Sequence, residues 1–269
     1  MRRVLKLPVL PVITAIVYMH RFYTVRSFDE VLRHELCLAA LFLAAKVHDH
    51  HLQLEQVVKA GNFSSGFPHL DVKSEIYLTK MKGVLFHEEI LISVLGFCLD
   101  VMHPHPFVVL VCKAIKASEE LSEDAYILAT QSIINTTMSL KFSPKTVACI
   151  CIHAACKIFS YKIQACTENP NWFSYVDSSL TLELLESLTM NFIGELGKGF
   201  GFTMPQSENV ADSRCQPGSS NKRVLVRIPR RFITVSGDKP EIPRICPAVI
   251  QKSSKPPKMV RLASEPSRT

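Results

Sequence analysis

The sequence predicts an all-α protein of two similar helical units followed by a polar tail. Three observations carry that expectation. Apolar residues recur at helical spacing from about residue 11 to residue 199, and the strict alternation of half-buried strands is rare. Two stretches, 39–47 and 147–158, are apolar on every side and rich in Ala or Cys, as a helix at the centre of a bundle must be. Beyond residue 199 the composition changes: half of the 16 prolines lie after Arg214. With 269 residues, 47% of them hydrophobic, the chain has material for two cores.

Pro11 suits the first turn of a helix running to about Val25, because its missing N–H is one that a helix start leaves unpaired. Ile13, Ile16, Val17 and His20 share one face of it. The second helix covers roughly Glu35–Val47, and its alanines let neighbours approach closely. His48-Asp49-His50-His51 reads as a solvated loop; three imidazoles at this spacing fall short of a metal-ligand set. A helix over Leu52–Asn62 ends at Gly61, Gly66 and Pro68, and a long one from Ser74 to Leu95 stops at Gly96.

The second unit opens at His103-Pro104-His105-Pro106 with a helix to about Ser118. A single helix follows from Ser122 to Phe142, where Ser122, Glu123 and Asp124 suit a positive helix start. Ser143-Pro144 caps the second all-apolar helix, within which His153 reads as a hydrogen-bonded core histidine. Trp172, in a loop after Asn169-Pro170-Asn171, reads as a packing anchor. A last amphipathic helix spans about Thr181–Leu196, with Leu182, Leu185, Leu188 and Phe192 as its stripe. The expected units are 7–100, 101–199 and a disordered, basic, Pro-rich tail over 200–269.

Charge is unevenly spread. The formal net charge is +7, yet 13 Lys and Arg face only 3 Asp and Glu from Arg214 onward, leaving 18 basic against 21 acidic residues before it. A slightly acidic helical body argues against a basic nucleic-acid-binding fold. Within the tail, Lys222, Arg223, Arg227, Arg230 and Arg231 form a cluster. It reads equally as a nuclear-localisation signal, a nonspecific nucleic-acid contact or a solubilising segment.

The nine cysteines include no CxxC pair, and six of them lie in apolar helical runs, so buried reduced thiols are expected. Two prolines interrupt the apolar N-terminal run and no small-x-small cleavage site follows, which argues against a secretory leader. No run reaches the ~18 apolar residues of a membrane span. No Gly-rich phosphate loop and no supported nucleophile constellation is present, so catalysis and a cofactor are not expected.

Ala39-Ala40-Leu41-Phe42-Leu43-Ala44-Ala45-Lys46-Val47 resembles the central-helix motif of a cyclin box. Thr14–Tyr23, His103-Pro104-His105, Val147–His153, Tyr175-Val176-Asp177 and Thr181–Leu185 extend the resemblance in order over roughly residues 12–195. They point to cyclins of the T type, with the K type next. The resemblance implies tandem cyclin boxes and a regulatory subunit that is not itself an enzyme. It implies binding and activation of a cyclin-dependent kinase of the transcription-elongation type, in the nucleus, alongside the RNA polymerase II machinery. A degenerate cyclin-fold scaffold that activates no kinase is the alternative.

By the same resemblance, Lys46 and Glu88 match the polar pair at the kinase-facing surface, and Phe42 and Phe97 match apolar interface positions. Taken from spacing alone, these residues read as a snorkelling lysine, a solvated glutamate and two core aromatics. Three departures accompany the match. Only about a dozen residues precede it where the family has a further helix, so the first box is expected to lack that helix and to expose apolar surface on its central helix. His48-Asp49-His50-His51 stands where the family has acidic residues and a proline. The basic, Trp-bearing segment that follows the second box in vertebrate T-type cyclins is not recognisable.

Overall fold

Serine caps and prolines set several of the helix starts in this chain. The computed structural model describes residues 1–66, 71, 73–161, 163 and 171–199. The expected tail, and with it Lys222, Arg223, Arg227, Arg230 and Arg231, lies outside the described residues. The described residues are helical, without strands. The first group is α1 (Arg2–Leu5), α2 (Val9–Phe22), α3 (Arg33–Val47), α4 (Leu54–Ser64) and α5 (Glu75–Val94). The second is α6 (His105–Ala114), α7 (Glu119–Asn135), α8 (Met138–Lys141), α9 (Pro144–Phe159), a 3-10 turn at Trp172–Tyr175 and α10 (Leu182–Gly199).

Ser74, Ser118 and Ser143 each accept the backbone N–H three residues on, at 3.2, 3.3 and 3.1 Å, satisfying a donor that the first turn leaves unpaired. The cap at Ser118 corrects the expected start at Ser122. Asp124 therefore sits in the second turn of α7, buried, where its carboxylate accepts the Tyr161 hydroxyl at 2.8 Å. The single helix expected over 122–142 is also broken. The Thr136 hydroxyl donates to the Ser132 carbonyl and accepts the Met138 N–H, and these local bonds let the backbone turn extended at Thr136 before α8 begins. Gly96 does follow the end of α5, with φ at +59°.

In the first group α3 is the hub. Leu36 and every residue from Ala39 to Ala45 are buried, packed by Tyr18 and Phe22 of α2, Val57 and Val58 of α4, and Tyr77, Val84 and Leu91 of α5. The expected apolar surface on this helix is thus confined to Val47 at its last position. A larger set of exposed apolar side chains lies one layer out, on α5: Ile76, Leu78, Leu85 and Phe86. The reason is that α4 and α5 enclose α3, and α5 has no further described helix over its outer side. In the second group α9 is the hub, with Val147 through Ile152 buried among α6, α7 and α10. Trp172 packs against that core, as expected of an anchor. The thiols of Cys112, Cys149 and Cys151 are buried, and burial pushes Cys149 up to about 12. Cys98 departs from the expectation: it lies past the end of α5 and is exposed.

Helix α2 joins the groups. Its Ile13 and Val17 pack on Ile133 of α7. Along the same helix, Thr14, Tyr18 and Arg21 follow one another at i, i+4 and i+7, so they form a single row. That row bonds to the connecting segment: Thr14 to His103, Tyr18 to the Leu99 carbonyl at 2.6 Å and Arg21 to the Cys98 carbonyl at 3.4 Å.

The loop before α10 is held by Asp177. Its carboxylate accepts the Thr146 hydroxyl at 2.6 Å and the Ser179 N–H at 3.1 Å, tying the start of α9 to residues 177–180. Burial alone would raise this carboxyl, but the bonds from Ser179 and Thr146 outweigh it and hold the group below its ordinary range. Asp177→Ala is expected to cost about 2 kcal/mol of stability, read as a lower urea midpoint at unchanged slope. An unaltered midpoint would show the clasp to be idle.

Burial lowers His103 to about 3 and His105 to about 4, so both are neutral in the fold. The unfolded chain takes up these protons near pH 6.5, so stability is full above that pH and falls as the pH drops toward the folded values. At pH 5 each buried imidazole is expected to cost about 2 kcal/mol relative to pH 7.5. His105→Gln should remove about half of this pH dependence in urea titrations at the two pH values; an unchanged dependence would refute the assignment.

Candidate functional site

Because α3 is apolar on all sides, its first outlet for a charged side chain is its C-terminal turn. Lys46 stands there, and its ammonium meets Glu88, which α5 carries across α3. Nζ lies 2.9 Å from both Oε1 and Oε2. The Glu88 side chain is only 9% exposed, whereas that of Lys46 is 50% exposed. The same ammonium lies 4.0 Å from the ring centroid of Phe42, one turn back on α3. Phe42 is buried against Val57, Val58, Tyr77 and Val84. An aromatic face and a desolvated carboxylate thus fix a lysine that would otherwise be free to sample many rotamers.

Three of the four residues assigned by resemblance, Phe42, Lys46 and Glu88, are therefore brought together. Glu89, adjacent in sequence, is exposed; Glu88 is the partner of Lys46. Phe97 lies three residues beyond the end of α5, whose last six residues run about 9 Å along the helix axis past Glu88 at 1.5 Å per residue. It is 78% exposed and adopts a left-handed backbone with φ at +61°. A bulky side chain rarely takes that conformation, and the backbone bond from its N–H to the Ile92 carbonyl at 3.1 Å holds it there.

At 100° per residue, Leu78, Lys82, Leu85 and Glu89 form one strip on α5 beside Glu88. All four are exposed. Val47, next to Lys46, is exposed as well. The site is a half-open ammonium over a buried carboxylate, bordered by apolar side chains. It has N–H donors to offer, and its buried carboxylate is already engaged by Lys46. Among the described residues no group of three or more His, Cys, Asp or Glu is arranged to hold a metal ion. No helix of the described residues is long and apolar enough to cross a membrane.

Residues 2–100 match the family model described as "Cyclin, N-terminal domain", and residues 103–194 match "Cyclin-T2-like, C-terminal domain". The chain belongs to the cyclin family. Cyclin-T1 of Mus musculus is 42% identical over 189 residues, which is 69% of this chain and 26% of that protein. Cyclin-T of Drosophila melanogaster is 41% identical over 180 residues, 67% of this chain and 16% of that protein. Cyclin-K of Homo sapiens is 25% identical over 203 residues, 69% of this chain and 33% of that protein. The order expected from the motifs, T type before K type, holds. This cyclin spans about a quarter of the length of the T1 relatives it matches.

One feature of this cyclin was not anticipated from its sequence. His48 is not simply solvated: its Nε2 lies 2.8 Å from the Thr14 hydroxyl, which also lies 2.8 Å from Nε2 of His103. Three residues 34 and 89 positions apart meet there. The replacement of the family's acidic stretch by histidines was the only signal available, and it did not name the partner.

The energetics of the Lys46–Glu88 pair are open to a double-mutant cycle. Lys46→Met leaves a nearly buried carboxylate without its cation and should cost more stability than Glu88→Gln, by about 1 kcal/mol. The cycle should return a coupling of about 1 kcal/mol, at the upper end of the range of wholly exposed pairs. Equal single costs and zero coupling, measured by urea denaturation, would show the pair to be no more than a surface contact.

Proposed function

We propose that this chain is the regulatory subunit of a cyclin-dependent kinase of the transcription-elongation type and that it binds the kinase through Phe42, Lys46, Glu88 and Phe97. The observation that carries the reading is the preformed Lys46–Glu88 pair at the rim of an apolar strip. Its ammonium keeps donors open to solvent, the chemistry needed to bond the carbonyl and side-chain oxygens at the start of a partner helix. Phe97, Leu85 and Val47 supply exposed apolar area around it. The likeness to T-type cyclins supports the choice of kinase class, and the two boxes would be the units 7–100 and 101–199.

On this reading the cyclin contributes no catalytic group. It acts by binding the arrangement of the kinase in which a strand Lys and the αC Glu are in contact, the arrangement that phosphoryl transfer needs. Shifting a 1:99 equilibrium to 99:1 takes about 5.5 kcal/mol of differential affinity. A few desolvated anchors of the kind described supply energy on that scale. Phe42, buried beneath the ammonium, would act by holding Lys46 rather than by direct contact. The substrate on this reading is the C-terminal repeat of RNA polymerase II, and the site of action is the nucleus.

The test uses charge reversal. Lys46→Glu and Glu88→Lys are each expected to weaken kinase capture at least tenfold with helical content retained by circular dichroism. The swapped double variant rebuilds an ion pair but turns its polarity around, so it should recover stability without recovering binding. Full capture and full kinase activation by the double variant would overturn the assignment. Capture of a kinase without any gain in its activity would favour the scaffold alternative.

A further inference from the structure

Thr14, His48 and His103 form a polar junction that no sequence motif announced. Thr14 lies in the middle of α2 and is 1% exposed, His103 is 5% exposed in the segment that connects the two helix groups, and His48 caps the C-terminal end of α3. The threonine hydroxyl has one proton to give. With an imidazole Nε2 at 2.8 Å on either side, it donates to one ring and accepts from the other, so the two rings hold opposite tautomers. Nδ1 of His103 is buried without a partner. A buried lone pair left unpaired is better tolerated than a buried N–H, so His103 carries its proton on Nε2 and donates it to Thr14. Thr14 then donates to Nε2 of His48, which carries its proton on Nδ1. His105 repeats the arrangement behind it. Its Nε2 lies 2.9 Å from the Thr130 hydroxyl, which itself donates to the Tyr126 carbonyl, and its Nδ1 is unpartnered.

The junction bears directly on Lys46. The turn after α3 closes by three backbone bonds: His48 N–H to Ala44, Asp49 N–H to Lys46 and His50 N–H to Ala45, at 3.1, 3.1 and 2.8 Å. Asp49 takes a left-handed backbone, φ +56°, to make this closure. The His48 side chain pins the closed turn to α2 and to the connecting segment, two residues from the ammonium. We propose that Thr14, His48 and His103 are positioning residues for Lys46, and that uptake of a proton by His48 releases the pin and weakens partner binding. The inference rests on the reading of Lys46 as a docking residue.

The chemistry of release is simple. A proton on Nε2 of His48 removes the acceptor of the Thr14 O–H, so the hydroxyl then faces two N–H donors and its own proton loses its partner in the junction, which weakens the pin. Several groups face this imidazole. Burial and the neighbouring His50 disfavour the cation; Asp49 favours it, as does the carbonyl-rich end of α3, while His103 across the junction is neutral. His105 and Arg21 act on His103 from behind. The sum lowers His48 from its ordinary value, so the pin stays closed at neutral pH and opens only as the pH falls into the acid range.

The experiment measures affinity of the full chain for a transcription-elongation cyclin-dependent kinase at pH 7.5 and pH 5.5, by calorimetry, for the wild type, Thr14→Val, Thr14→Ser and Lys46→Glu. The wild type is expected to weaken about threefold to tenfold between the two pH values beyond the change seen with Thr14→Val, the worth of one hydrogen bond. Thr14→Val should bind about threefold to tenfold more weakly at pH 7.5, and Thr14→Ser, which keeps the hydroxyl, should restore both affinity and pH dependence. Identical pH profiles for the wild type and Thr14→Val would overturn the proposal while leaving the docking role of Lys46 to the Lys46→Glu result. If no variant binds the kinase at all, the docking reading fails; imidazole 15N shifts still decide the junction, which requires His103 as the Nε2–H tautomer and His48 as the Nδ1–H tautomer at pH 7.5. Both rings in one tautomer would refute it.

Discussion

The enclosure of α3 governs the first helix group. A helix with Leu36 and Ala39 through Ala45 all out of water has no face on which to roll or slide, because any rotation would drive a methyl group into a neighbour. The approach of α4 shows how tight this is: a Cβ on Gly61 would lie 2.7 Å from the Leu38 side chain. A helix held so firmly fixes the direction in which its last turn points. Lys46 therefore emerges at a defined place, and α5, packed across the same helix, delivers Glu88 to it. The charged pair inherits its geometry from an apolar constraint.

The two groups follow one plan and diverge in one respect that bears on function. The second hub, α9, also closes on a lysine, and Lys157 also finds a glutamate, Glu186 of α10. Its Nζ–Oε1 distance is 3.6 Å, and Glu186 is 52% exposed, against 2.9 Å and 9% for the first pair. Water screens the second pair on both sides, so it has little orientation to offer a partner. The first pair combines one buried and one open member, which is the combination that directs a donor outward. The second group instead contributes support: its Ile133 packs on α2, and the row of Thr14, Tyr18 and Arg21 on that helix bonds to the segment leading into it.

Much of this was legible in the sequence, for identifiable reasons. The central helices could be read because being apolar on every side has one common physical cause, and the Ser143-Pro144 start because a cap is a local device. The Lys46–Glu88 pair was read only through resemblance, since 42 residues of intervening chain leave no spacing signal. Features that depend on tertiary detail were missed or misplaced. Ser118 and Ser122 are equally good caps until the packing of α7 chooses between them. Thr136 breaks a helix whose apolar periodicity continues through it, because its hydroxyl offers the backbone alternative partners. His48 looked like a loop residue because nothing local reveals that Thr14 waits 34 positions earlier.

Preorganisation of a charged side chain is the physical consequence of this geometry. A lysine fixed on binding gives up close to 2 kcal/mol of rotamer freedom, and such losses are a principal reason that buried area fails to convert into affinity. Here the loss is already met in the free protein, by two carboxylate oxygens and the face of Phe42. Phe97 makes the same argument from the backbone. Its left-handed conformation is held by a hydrogen bond to Ile92, so a large apolar ring stays presented to water rather than folding back onto α5. An exposed aromatic held in a costly conformation is poorly explained by stability alone, because relaxing it would remove both the strain and the exposure. On the proposed reading, a partner that covers the ring and bonds the ammonium would recover both at once, across the roughly 9 Å of helix between Glu88 and the end of α5.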